Sequence, residues 1–144
     1  VEEWRMRLGR GAREVDDTSA ENGRAIRVLG DSDSWNVYFD LNRMGFDVGA
    51  KGKLRARMRV DKKAGRQGEA FWMGVYNKKL RKSSLKTFSV GTDAVADGYA
   101  WYDIGTWKPV SDDYVWFGSG RFKEGASAVN GVYLDKLELV VQEK

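Results

Sequence analysis

The chain has no cysteine and no histidine among its 144 residues, and its one proline is Pro109. Without cysteine there is no disulfide, thiolate metal site or cysteine nucleophile, and the redox compartment is left open. Without histidine, Ser-His-Asp and Cys-His constellations and every imidazole-based metal site are excluded as well. Acid–base chemistry would fall to carboxylates, tyrosine, lysine or arginine, which weighs against an enzyme. No apolar run approaches the ~18 residues that a membrane-spanning helix needs. The chain opens on Val-Glu-Glu-Trp, with neither an initiator methionine nor a charged-then-apolar leader. It therefore reads as a mature product or a domain excised from a larger protein.

What is present is glycine (17 residues), aromatic side chains (six Trp, six Tyr, six Phe) and an uneven charge. A chain of this length can bury a core as one domain. Residues 51–86 hold 13 Lys and Arg against only Asp61 and Glu69, a net +11, while the remainder is −7. A basic segment in an acidic background suggests an anionic partner, against the plainer reading of solvated strands and hairpins.

Alternation of apolar and polar residues predicts strands throughout. Leu54, Ala56, Met58 and Val60 alternate with Arg55, Arg57 and Arg59, as in a half-buried strand with a basic outer face. Trp35, Val37, Phe39 and Leu41 alternate with Asn36, Tyr38 and Asp40, which assigns Trp35 to the core. Further strands are expected at 4–8, 24–29, 70–77, 86–91, 99–104, 114–118 and 132–141. Turn-rich stretches separate them at 17–23, 30–34, 45–52, 61–69, 77–85, 92–98 and 118–131. No segment has a helical period. Short strands joined by glycine turns predict an all-β antiparallel sandwich or barrel across residues 1–144.

Parity then sorts the aromatic residues. Phe71, Met73 and Val75 oppose Trp72, Gly74 and Tyr76; Tyr102 and Ile104 oppose Trp101 and Asp103; Val115 and Phe117 oppose Tyr114 and Trp116. The second sets offer an outer platform for stacking on sugar rings. If Arg55, Arg57 and Arg59 share that sheet, the platform is cationic as well and suits a uronate or sulfated polysaccharide. Trp107 is a further ligand-binding candidate, at a turn. Lys78-Lys79-Leu80-Arg81-Lys82 reads as a solvated loop.

In the last strand, strict alternation places Asp135 on the face of Tyr133, Leu137, Leu139 and Val141. A carboxylate among core residues must be paired or bound to a cation. Calcium would satisfy it, with ligands from Asp17 and Glu21 in the loop 16–23 and from Glu3 near the start of the chain. The alternative is an arginine partner or a loop cap.

Val15-Asp16-Asp17, Ala20-Glu21-Asn22-Gly23-Arg24-Ala25-Ile26-Arg27-Val28 and Trp35-Asn36-Val37-Tyr38-Phe39 resemble the opening of galactose-binding-domain-like jelly rolls. Residues 53–60 and 132–139 resemble later strands of the same fold. The resemblance spans nearly the whole chain, with loose motifs, and departs at Glu21, where the pattern has Ser. It implies a β-sandwich carbohydrate-binding module, non-catalytic, appended to a polysaccharide-degrading enzyme and secreted, periplasmic or on the cell surface. It also implies a structural calcium held partly by Asp135. Its partners would be a polysaccharide and neighbouring domains, with no nucleic acid and no membrane span.

Three rivals differ in class. A jelly-roll polysaccharide lyase would use a Tyr base with Arg or Lys neutralising a uronate. A spacer domain would bind nothing. A basic-patch nucleic-acid binder is disfavoured by the acidic remainder and the strand count. The carboxylate pairs Asp16/Asp17 and Asp112/Asp113 are adjacent in sequence and so diverge in a strand.

Overall fold

A computed structural model describes residues 6–8, 11–30, 37–40, 48–119 and 128–141, the first three by backbone only. Ten strands run through them: β1 (Met6–Leu8), β2 (Ala12–Asp16), β3 (Arg24–Leu29), β4 (Val37–Asp40), β5 (Gly52–Lys62), β6 (Glu69–Asn77), β7 (Lys82–Gly91), β8 (Ala100–Trp107), β9 (Asp113–Ser119) and β10 (Val129–Val141). They form two five-stranded antiparallel sheets, β1-β4-β9-β6-β7 and β2-β3-β10-β5-β8. No helix occurs among the described residues.

The core lies between the sheets, where alternating positions meet. From the first sheet come Phe39, Phe71, Met73, Val75, Val115 and Phe117; from the second come Ile26, Val28, Leu54, Met58, Val132 and Leu134, all fully buried. Each such side chain contributes about 1.5–3 kcal/mol through burial. Because the period is two, burying these residues commits their neighbours to the outer faces. The inner and outer sets of β6 and β9 fall as the alternation predicts.

Two strands differ most from expectation. β2 lies in a stretch with no predicted strand. Only Ala12 and Val15 are apolar there, and pairing with β3, from Ala12 opposite Val28 to Asp16 opposite Arg24, organises it at the sheet edge. β7 begins at Lys82, inside the expected turn 77–85. Its serine- and threonine-rich sequence lacks regular alternation, and its pairing with β6 is irregular at three places.

Register shifts also move individual residues. β10 is irregular against β5 between Leu134 and Lys136, so Asp135 has no partner of its own. The inward set is therefore Val132, Leu134 and Leu137, with Leu139 packed alongside, while Tyr133 turns outward. Asp135 is buried in the bulge, 2% exposed, and does not belong to a continuous apolar face. A second shift pairs Leu54 with Gly105 but Arg55 with Asp103, which leaves Ile104 as the extra residue. Beyond it Trp107 faces inward, 1% exposed.

Candidate functional site

The outer face of the first sheet carries a groove of about 400 Å³ lined by Trp72, Tyr76, Ser83, Thr87, Tyr114 and Trp116. Backbone pairing assembles it. Gly74 stands opposite Trp116 and Tyr76 opposite Tyr114 on β9, while on β7 Ser83 pairs with Tyr76. Gly74 is required by close approach: a Cβ there would lie 2.7 Å from Cζ2 of Trp116 and 2.9 Å from its Cε2. The missing side chain lets the Trp116 indole lie over β6. The Trp72 and Trp116 rings meet edge to face, with centroids 5.3 Å apart and planes at 88°. Such an arrangement is itself favourable, and it presents two apolar surfaces at right angles.

Tyrosines form the other end of the groove. Tyr114 lies between Tyr38 (centroids 5.2 Å) and Tyr76 (5.7 Å). Burial, then the phenols of Tyr76 and Tyr38 and the Asp40 carboxylate, push the Tyr114 phenol up, so it stays protonated at neutral pH. Beneath this end, Asp113 accepts hydrogen bonds from Asn77 Nδ2 (2.9 Å), Trp107 Nε1 (3.0 Å) and the Val110 N–H (3.0 Å). Trp107 is thus a tether inside the sandwich, which corrects its assignment to ligand binding. A buried indole N–H needs a partner, and Asp113 supplies one.

Arg55, Arg57, Arg59 and Trp101 lie on the second sheet, on β5 and β8, so the arginines and the groove aromatics do not share a platform. Nor is the charge of those arginines free. Arg55 bonds Asp103 (3.1 Å) and Glu138 (2.9 Å), Arg57 bonds Asp135, and Arg59 bonds Asp17 (2.8 Å). Their guanidinium planes also lie over rings: Arg55 over Trp101 (4.8 Å), Arg57 over Tyr99 (4.7 Å) and Arg59 over Tyr133 (3.8 Å). The row is an internally neutralised ladder, flanked by a shallow depression at Lys53, Arg55, Asp103 and Val140. The condition for a joint aromatic and cationic platform is not met.

The same pairing decides how well the proposed metal ligands fit a calcium ion. Asp17 Oδ2 accepts from Arg59 and from the Tyr99 hydroxyl (2.9 Å), and its Oδ1 accepts from the Ser19 N–H (3.0 Å). Burial raises its pKa, but these bonds outweigh it and hold the carboxyl down at about 2. Asp135 Oδ2 accepts from Arg57 and from the Glu21 N–H (3.1 Å), while the Glu21 carboxylate pairs with Lys136 (2.7 Å). Among the described residues no three acidic side chains converge. Calcium takes about 6–8 oxygen ligands. Asp17, Glu21 and Asp135, each with its own cation, do not fit it as arranged. Glu3, and the Trp35 assigned to the core, lie outside the described residues.

Alternation in the sequence leads to Trp72, Tyr76, Tyr114 and Trp116. It misses Ser83 and Thr87, which an expected turn and an irregular strand conceal. It also leaves Tyr38 and Gly74 without a role, although Tyr38 alternates outward and Gly74 falls between two outward aromatics.

No protein-family model and no curated protein matches the sequence. Solved structures match its fold. One is the Clostridium thermocellum xylanase 10B fragment with CBM22-1 and GH10 modules, complexed with xylohexaose (TM-score 0.58, 14% identity). The match covers 98% of this chain and 26% of that one, so the chain spans about a quarter of its length. A CBM4 structure matches with TM-score 0.56 and 13% identity, over 96% of this chain and 86% of the other. Caldicellulosiruptor saccharolyticus CBM27-1, in complex with mannohexaose, matches with TM-score 0.53 and 14% identity, over 91% and 82%. The chain therefore has the β-sandwich jelly-roll fold of carbohydrate-binding modules.

Proposed function

We propose that this chain is a non-catalytic polysaccharide-binding module, and that the groove over β6 and β9 holds the sugar chain. The observation that carries the reading is the groove's lining: two indoles at right angles, two tyrosines and two hydroxyl side chains, with no charged group among them. Indole faces stack on the C–H-rich faces of pyranose rings, while Ser83, Thr87 and the phenols exchange hydrogen bonds with sugar hydroxyls. The volume of about 400 Å³ falls in the range of ~300–1,000 Å³ common for ligand pockets. Two of the structural neighbours, the xylanase fragment and CBM27-1, were solved with xylohexaose and mannohexaose, which supports an oligosaccharide as ligand.

The lyase alternative is weaker. A tyrosine base needs its phenol held below the ordinary value, and Tyr114 is pushed the other way. No carboxylate lines the groove among the described residues. The module's natural setting would be a larger polysaccharide-degrading enzyme, as in the xylanase fragment, and one that works outside the cytoplasm.

Affinity electrophoresis against xylan, mannan and mixed-linked β-glucan tests this reading. Retardation is expected in at least one gel and should disappear in Trp116→Ala, a loss of about 30-fold or more for a central aromatic anchor. Unretarded migration of the unmodified protein in all three gels would overturn it, as would the appearance of unsaturated products.

A further inference from the structure

The groove is bounded on one side by the β6–β7 hairpin. Residues 70–92 contain Lys78, Lys79, Arg81, Lys82 and Lys86 but no Asp or Glu. All five cations are exposed. Lys78 is occupied: its Nζ lies 2.6 Å from Asp40 Oδ1 and 5.8 Å from the Tyr114 ring centroid. No ion pair forms at Lys79, Arg81, Lys82 or Lys86 among the described residues. Lys79 and Arg81 sit in the turn between Tyr76 and Ser83, both of which line the groove, so unpaired charge stands at that end of the apolar floor.

Among the described residues, the acidic groups nearby do not cancel it. Asp40 is taken by Lys78, and Asp113 is buried beneath its neutral donors. Asp112 is exposed; its carbonyl accepts the Lys78 N–H (3.1 Å), and its own charge offsets only part of the hairpin's. The second sheet shows the opposite arrangement, with a carboxylate for each of Arg55, Arg57 and Arg59.

The hairpin is also held in shape. Asn77 Oδ1 accepts the Leu80 N–H (2.8 Å), and the Asn77 carbonyl accepts the Arg81 N–H (2.9 Å). The Asn77 amide in turn donates to Asp113 and to the Ser111 carbonyl (2.9 Å each). A turn anchored in this way loses little backbone freedom when a ligand binds.

We propose that the β6–β7 hairpin reads carboxylate groups on a polysaccharide seated in the groove, so that the preferred ligand is a uronate-bearing chain. The inference rests on the groove reading above and adds the ligand's charge to it. Trp72 and Trp116 stack on the sugar rings, while the hairpin's exposed cations, Lys79 and Arg81 in the turn foremost, meet carboxylates at the rim. Ammonium groups on flexible stems suit carboxylates that recur at irregular intervals, for which a fixed bidentate fork is not needed. Because these contacts are exposed, they are modest and screened by salt.

Two matched pairs of polymers test the proposal by affinity electrophoresis and calorimetry: a glucuronate-bearing xylan beside its carboxyl-reduced form, and mixed-linked β-glucan beside its C6-oxidised form. The carboxylate-bearing member should bind about fivefold more tightly or better, from several exposed ion pairs acting together. The preference should vanish near 1 M salt, where the Debye length is about 3 Å. The triple variant Lys79→Gln, Arg81→Gln, Lys82→Gln should lose most of the preference for the charged member, with its neutral affinity unchanged. That retained affinity shows the variant folded. Equal binding of both members by the unmodified protein overturns the proposal and leaves the groove reading standing. Binding of none of the four polymers overturns the proposal, and binding of neither these nor mannan overturns both. A preference that survives the triple variant and disappears in Arg55→Gln assigns the charge to the second sheet and also overturns it. A sulfated form of the same glucan separates the anions, because tighter binding of that form alone would assign the rim to sulfate esters.

Discussion

The two outer faces of the sandwich are built by one rule and end with opposite chemistry. On the first sheet, β6 and β9 turn Trp72, Gly74, Tyr76, Tyr114 and Trp116 outward, and the groove between them is lined without charge. On the second, β5, β8 and β10 turn out Arg55, Arg57 and Arg59 with Trp101 and Tyr133, and carboxylates of Asp17, Asp103, Asp135 and Glu138 meet the guanidiniums. The first face leaves its aromatic surfaces open to a ligand. On the second, Arg55, Arg57 and Arg59 are satisfied internally, which is the signature of a row that stabilises the domain.

The largest separation between the faces should come from Arg57→Ala. Asp135 is 2% exposed, and removing its guanidinium partner leaves a buried carboxylate with only the Glu21 N–H. Loss of a partner from such a pair costs about 3 kcal/mol. Urea denaturation should show that loss, while polysaccharide retardation below the shifted midpoint stays unchanged. Trp116→Ala should do the reverse, abolishing retardation with a smaller change in stability. If Arg57→Ala abolished binding without destabilising the fold, the division of labour between the faces would be wrong.

How much of this was legible in the sequence follows from what period two can and cannot say. It tells which residues of a strand point together, so the outward sets of β6 and β9 and the inward sets of β5 and β6 are readable. It does not tell which sheet a strand joins. Trp101 and Trp72 therefore look equivalent in sequence, although β8 and β6 lie in different sheets. Nor does it see a bulge coming. Strict counting carries Asp135 into a continuous apolar face, from which the bulge sets it apart. A strand ending at 104 leaves Trp107 at a turn, whereas β8 runs on past the extra residue Ile104 and turns that indole inward. The jelly-roll resemblance at 15–28 and 132–139 pointed to the fold. Its implied calcium is a separate matter, because period two does not show that Asp17, Glu21 and Asp135 each face a cation of the protein.

A smaller effect is expected in acid. The Asp17 pKa is about 2 in the folded protein, below its ordinary value of 3.8. Its stabilising contribution is therefore complete above about pH 4 and is lost as pH falls through about 2. Screening by solvent keeps the contribution to about 1 kcal/mol. Thermal melts from pH 5 to pH 2 should show a decline that is shallower in Asp17→Asn than in the unmodified protein. Parallel declines would remove Asp17 from the acid response. The groove lining has no carboxylate among the described residues, so affinity for a neutral polysaccharide in the folded protein should not follow the same titration.

The smallest expected effect is the most discriminating one for the second face. The loop from Asp17 to Gly23 closes on itself through the Asp17 N–H to Gly23 carbonyl bond (2.9 Å), with Gly23 at φ 75°, where a side chain would be strained. It is then fastened to the sheet at three points: Asp17 to Arg59, the Glu21 N–H to Asp135, and Glu21 to Lys136. A calcium ion would have to displace Arg57 and Arg59 and recruit several more oxygens, so the protein's own cations already neutralise these carboxylates. Melting with and without a strong chelator should therefore give the same midpoint, and elemental analysis of the purified protein should find less than stoichiometric calcium. A drop in midpoint on chelation, reversed by added calcium and absent in Asp135→Asn, would show that a metal replaces the arginine ladder, and the second face would then be an ion site.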